Sequence, residues 1–151
     1  MRPDLQLRPA TADDAARVAE VHLRARAAAP MPPSVHADDR VRTWLASRVA
    51  GAGGDEVWVA ESGGRVVGYA RFTRTWLDDL YVDPDHARQG IGSALLDVVK
   101  ARHPGGFGLW VFVSNQPALA FYVRHGLVER ERTDGSANAE RAPDVRMEWT
   151  G

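Results

Sequence analysis

The segment Arg88-Gln89-Gly90-Ile91-Gly92-Ser93 sets two glycines, a guanidinium and a hydroxyl between an extended run, Leu80-Tyr81-Val82, and a helical one. Free main-chain N–H groups at a helix start, the positive end of the helix dipole and Arg88 together suit a phosphate anion. The glycines let backbone approach a ligand without interference from a Cβ. Taken alone, the pattern is equally that of an ordinary strand-to-helix turn. No Gly-x-x-x-x-Gly-Lys-Ser/Thr is present and the turn lacks a third glycine, which disfavours the nucleoside-triphosphate and dinucleotide readings. Downstream, Asn115 and Tyr122 lie seven residues apart around a helix start marked by Pro117. A tyrosine there is either a proton donor or a core aromatic on an amphipathic helix.

Positioning such groups requires a defined set of elements. Leu5–Arg8 reads as a first strand. A helix follows, capped by Thr11, with Asp13 and Asp14 in its first turn and Val18, Val21, His22 and Ala25 on one face. The proline-rich stretch 29–34 breaks that helix, and a second amphipathic run carries Val41, Trp44, Leu45 and Val49. Strands are expected at 57–60, 66–70 and 77–82, the first two joined by a hairpin at Ser62-Gly63-Gly64. The spacing then predicts a helix over 92–102, a continuous apolar strand over 107–113, and a helix bearing Ala118, Phe121, Tyr122 and His125 before Gly126. Two last strands, 127–132 and 145–149, flank a polar loop at 133–142. The expectation is one α/β domain over 1–151, in the order β-α-α-β-β-β-α-β-α-β-β.

Composition narrows the partners. The chain has 151 residues, 44% hydrophobic and 26% charged, which is ordinary for a globular domain. A net charge of −1 supplies no overall field for nucleic acid or an anionic membrane, so neither is expected as a partner. With no cysteine, disulfides, thiolate metal sites and a cysteine nucleophile are excluded. The five histidines, at 22, 36, 86, 103 and 125, have no ligand spacing, and no metal is expected. Neither a membrane-length apolar run nor an apolar signal region behind Met1-Arg2-Pro3-Asp4 is present, and the chain reads as cytoplasmic.

Three blocks carry a resemblance: Leu80-Tyr81-Val82-Asp83-Pro84, the helix start Gly90-Ile91-Gly92-Ser93-Ala94-Leu95-Leu96, and Asn115 to Tyr122. Together with the element order they resemble the GNAT N-acetyltransferase family over nearly the whole chain. The resemblance implies the GNAT fold, a mixed central sheet of about seven strands with four helices, and acetyl-CoA as co-substrate. It implies that the backbone of Leu80, Tyr81 and Val82 holds the pantetheine arm and that Arg88, Gln89, Gly90, Ile91, Gly92 and Ser93 hold the pyrophosphate. It further implies that Asn115 steadies the pantetheine region and that Tyr122 gives a proton to the departing thiolate. The family's opening Arg or Gln of the phosphate motif falls at Ala87 here, leaving Arg88 and Gln89 as the nearest polar side chains.

The general base departs from the pattern as well. The family's glutamate positions match Trp76 and Trp110, both tryptophans. A lysine-like amine is about one part in a thousand neutral at pH 7, so a proton acceptor is needed. Strand period sets 76, 78, 80 and 82 on one face, which selects Asp78 as the substitute and turns Asp79 away. The rival reading of Asp78 is a carboxylate that only bonds a loop or an arginine. The acceptor is expected to be a small or peptide amine held between 31–39 and 133–144. Asp38, Asp39, Asp134, Glu140 and Asp144 would draw its charge there, and Trp44, Trp76, Trp110 and Phe112 would supply walls. Direct attack of the amine on the thioester is the leading expectation. A non-catalytic module that binds or senses acetyl-CoA is the alternative, and a homodimer is compatible with either.

Overall fold

A computed structural model describes residues 4–151; Met1, Arg2 and Pro3, part of the signal-peptide reading, lie outside the described residues. The order is β1 (Gln6–Pro9), α1 (Ala15–Ala28), α2 (Asp38–Val49), β2 (Glu56–Ser62), β3 (Arg65–Phe72), β4 (Leu77–Val82), α3 (Ile91–Arg102), β5 (Phe107–Phe112), α4 (Gln116–Arg124), β6 (Val128–Thr133) and β7 (Asp144–Trp149). This is the expected succession, with boundaries shifted by a residue or two.

Local chemistry explains most starts and stops. The Asp14 carboxylate, at the end of a short 3₁₀ turn, accepts from the Thr11 N–H at 2.7 Å and takes two bonds from Arg8 at 2.8 and 2.9 Å. That contact ties β1 to the entry of α1 and holds the Asp14 carboxyl below its usual range, chiefly through the Arg8 bond. Asn115 caps α4, its side-chain oxygen accepting from the Ala118 N–H at 3.4 Å, and Pro117 lies in the first turn. The helix gives way at Gly126, where φ of +88° needs a glycine.

The seven strands form two antiparallel sheets, β1-β2-β3-β4 and β5-β7-β6, joined by a parallel bridge between Trp76 and Gly108. Alternation along β2 and β3 divides the core. Val57, Val59 and Tyr69 face α1 and α2, whereas Ala60, Ala70 and Phe72 face α3 and the second sheet. Trp44 corrects the helical reading of α2. It is 41% exposed, and its ring lies under the guanidinium groups of Arg71, at 4.5 Å, and Arg48, at 5.0 Å, rather than in the core. Among the described residues no helix is long and apolar enough to cross a membrane.

Candidate active site

The geometry of β4 turns on one extra residue. Against β3, Arg71 pairs with Asp79 and Phe72 with Leu77, so Asp78 is inserted between two ladder positions as a β-bulge. The insertion breaks the period-2 reading of residues 76 to 82. Leu77, Leu80 and Val82 pack with the α3 core, while Tyr81 packs beside Tyr69 on the α1 side and Asp79 bonds to it. Asp78, expected on the face of Leu80 and Val82, sits at the bulge, partly exposed, with one oxygen 3.8 Å from Arg71 Nη1.

Below the bulge β4 and β5 are held together at Trp76 and Gly108, where the Gly108 N–H also donates to Thr75 O at 2.9 Å. A Cβ on Gly108 would lie 2.6 Å from the Trp76 ring, so that close approach needs a glycine. Beyond this point the strands diverge. A cavity of about 210 Å³ opens between β4 and β5, lined by Leu77 to Tyr81, Leu109 to Phe112, Asn115, Ala118 and Tyr122, with Arg26 and Met31 at its α1 end. Because β4 is the edge of its sheet, the β5-facing N–H and C=O groups of Leu80 and Val82 have no strand partner there, whereas Tyr81, expected to join them, turns its main-chain groups to Tyr69 of β3. An extended amide-bearing chain could pair with them as an added strand.

The turn 88–93 lies beyond the other end of β4. Asp83 anchors it: its carboxylate accepts from Asp85 N–H at 3.0 Å, from Arg17 at 2.5 Å and from Arg24 at 3.3 Å. Burial alone would raise the Asp83 pKa, but these donors outweigh it and hold the carboxyl below its usual range. Arg88 at φ +62° and Gly90 at φ +78° bend the chain into α3. The first intrahelical bond is Ala94 N–H to Gly90 O, which leaves the N–H groups of Gly90, Ile91, Gly92 and Ser93 without helical partners. A Cβ on Gly92 would make only ordinary contact with Phe121, at 3.5 Å, so packing gives no reason for a glycine there. Arg88 is exposed and the Ser93 hydroxyl is engaged with His125 at 2.9 Å.

Tyr122 projects from α4 into the cavity wall, its ring edge-on to Phe121 at 5.2 Å. Burial, reinforced by Tyr81 and the charge of Asp79, pushes its pKa well above the ordinary phenol value, so it stays protonated at neutral pH. Asp78 is displaced upward too, chiefly by burial, with Asp79 and Asp55 adding to the shift and Arg71 opposing it. A carboxylate raised in this way is a better proton acceptor than an exposed one.

The expected acceptor residues separate. Trp110 and Phe112 line the cavity, and Trp76 stands 6.5 Å from Trp110 at the closed end. Glu140 reaches the cavity only through Arg26, at 3.7 Å. Asp144 is buried and holds the late loop, accepting from Thr133 Oγ1 and from Asn138 at 3.2 Å. Asp38, Asp39 and Asp134 are exposed, and Trp44 lies on the outer face of α2.

A buried network behind the cavity had no local sequence signal. The Tyr69 hydroxyl donates to Asp79 Oδ2 at 2.9 Å, Arg71 Nε donates to the same oxygen at 2.8 Å, and Arg71 Nη1 reaches Asp55 at 2.6 Å. His22 Nδ1 is 2.7 Å from the Tyr69 oxygen; since that hydroxyl gives its proton to Asp79, Nδ1 carries the hydrogen. Burial lowers the His22 pKa and keeps the ring neutral.

Comparison with known proteins places this geometry. An acetyltransferase (GNAT) domain family model matches residues 53–129, half of the chain. The chain is similar to the peptidyl-lysine N-acetyltransferase YiaC of Escherichia coli, 39% identical over 70 residues, 46% of this chain and 47% of that protein. Among the first curated relatives the chain spans about half of their length or less. The fold superposes on the GCN5-related N-acetyltransferase structure from Rhodopseudomonas palustris with a TM-score of 0.80 at 21% identity, covering 100% of this chain and 98% of that one. It superposes on YncA from Salmonella typhimurium with its cofactor acetyl-CoA at a TM-score of 0.74 and 20% identity, covering 97% and 94%. A diverging β4–β5 pair above a glycine-rich helix start, matched by the family model across that region, shows that the chain belongs to the GNAT acetyltransferase family.

Proposed function

We propose that the protein is an acetyl-CoA-dependent N-acetyltransferase acting on a primary amine, of a small molecule or a peptide, by direct attack. The cavity between β4 and β5 carries this reading, because it brings an unpaired strand edge, Tyr122 and Asp78 to one place within reach of a bare helix start. The residues fit acetyl-CoA: first-turn N–H groups for a pyrophosphate, room beside Gly92, and main-chain partners on Leu80 and Val82 for the amides of the pantetheine arm. Acetyl-CoA supplies an activated acyl group and a thiolate leaving group.

The chain's own groups have separate tasks. The strand edge and the α3 N-terminus hold and orient the co-substrate, which contributes through proximity. Asn115 lines the cavity and also fixes the start of α4, hence the position of Tyr122. Tyr122, protonated at neutral pH, gives its proton to the sulfur as the C–S bond breaks. Asp78 removes the proton from the attacking amine. No acyl-enzyme is required.

An amine panel assayed for free CoA release tests the reading. Turnover of at least one amine, with kcat reduced about 10²-fold or more by Tyr122→Phe at unchanged acetyl-CoA affinity, is the expected result. Binding of acetyl-CoA without release above background hydrolysis would support a sensing module instead, the reading favoured by tryptophans at both usual base positions.

A further inference from the structure

We infer that His125 is a positioning residue for the pyrophosphate site, acting through Ser93, and that binding of the diphosphate takes up a proton at this histidine. The inference rests on the co-substrate reading above. His125 caps the end of α4, with its Nδ1 2.8 Å from the carbonyl oxygen of Phe121 and its Nε2 2.9 Å from Ser93 Oγ. A carbonyl only accepts, so Nδ1 carries a hydrogen whatever the charge of the ring. In the neutral ring Nε2 is therefore an acceptor and takes the Ser93 hydroxyl hydrogen. Ser93, the third residue of α3, then turns lone pairs toward the space in front of the helix start, which an anion disfavours.

Protonation reverses the polarity of this link. With Nε2–H donating, the Ser93 oxygen becomes the acceptor and its hydrogen is free to point at a phosphate oxygen. The histidine charge then lies one hydroxyl away from the anion. This arrangement supplies from α4 the side-chain donor that Ala87 lacks in the turn itself. It also explains a rigid histidine here: the ring stacks on Phe121 at 4.3 Å, and Lys100 Nζ donates to the His125 carbonyl at 2.6 Å. From α3 the charged groups on the stripe facing His125 are Asp97 and Lys100, beside Ser93; Arg124 adjoins it on α4; from β7 the neighbour is the uncharged Trp149, whose ring lies 5.1 Å from Lys100 Nζ.

The test is calorimetric titration with dephospho-CoA, which keeps the diphosphate and lacks the phosphate monoester that itself titrates near pH 6. Measurements in buffers of differing ionisation enthalpy, at about pH 6, 7 and 8, read the protons exchanged. Wild type is expected to take up a fraction of a proton at about pH 7 and to lose affinity a few-fold between about pH 6 and about pH 8, within the roughly tenfold that one hydrogen bond to a charged group is worth. His125→Gln, whose amide N–H donates to Ser93 at every pH, should bind with affinity independent of pH and no proton exchange. Ser93→Ala, which leaves the histidine in place, should also abolish the uptake. The inference is overturned if wild type binds without proton exchange, or if Ser93→Ala keeps the uptake. No binding of dephospho-CoA by folded wild type would overturn the co-substrate reading and this inference with it.

Discussion

Replacing Arg71 with methionine removes one guanidinium from three carboxylates. Its Nε lies 2.8 Å from Asp79, its Nη1 lies 2.6 Å from Asp55 and 3.8 Å from Asp78, and the group is stacked 4.5 Å over Trp44. The side chain of Arg71 is 11% exposed and those of Asp79 and Asp55 are 10% and 5%, so water cannot replace it. Breaking a buried pair by removing one partner costs about 3–5 kcal/mol. Asp79 would keep its Tyr69 bond and Asp55 would keep Arg48 at 3.6 Å, which places the expected loss near the lower end, about 3 kcal/mol. For a chain of this size that is a fall in Tm of roughly 6–12 °C. Urea unfolding followed by circular dichroism at about pH 7, with unchanged m, measures it. Adding Asp79→Asn should return part of the loss, because a neutral amide needs no counter-charge. A single-variant loss under about 1 kcal/mol would refute the assignment of the network as buried and coupled.

Other consequences follow from the same electrostatics and packing. Asp78→Asn should abolish most turnover and remove the acid limb of the pH–rate profile, while Arg71→Met, by removing the charge that favours ionised Asp78, should move that limb to higher pH; an unchanged limb in both variants assigns the base elsewhere. Asp14 and Asp83 have pKa values depressed in the fold, so their stabilisation is complete above the unfolded carboxylate value near 3.9 and is lost as pH falls through the folded values. The urea midpoint should therefore drop steeply below about pH 4, and Asp83→Asn should flatten that dependence while lowering stability at about pH 7; an unaltered acid slope in the variant contradicts the assignment. Gly108→Ala sets a Cβ 2.6 Å from the Trp76 ring, which cannot yield as a flexible side chain would, and should cost about 1–3 kcal/mol with a change in tryptophan fluorescence. An unshifted melting curve would show that the two sheets separate freely at this bridge.

What the sequence determined by itself was whatever depends on neighbours along the chain. The first turn at Pro117, the stop at Gly126 and the helix start after Gly90 are read correctly because each is a hydrogen-bonding problem solved within a few residues, whereas the capping role of Asn115 went unread and Thr11 opens a short 3₁₀ turn before α1 rather than α1 itself. The position of Tyr122 followed from helical period, since α4 is regular from Gln116 to Arg124. Tertiary structure decided the rest. The parity of β4 depends on β3, because a bulge exists only against a partner strand; period alone therefore put Asp78 on the face of Leu80 and Val82 and gave Asp79 no role. Trp44 follows the spacing of a core residue, yet Arg71, brought from β3, and Arg48, one turn along α2, hold it outward. Arg26 reaches the cavity, and His125 meets Ser93, from places in the chain remote from the groups they contact. Short-range periodicity fixes which face a residue occupies on its own element, and only the packing of elements against one another fixes what that face meets.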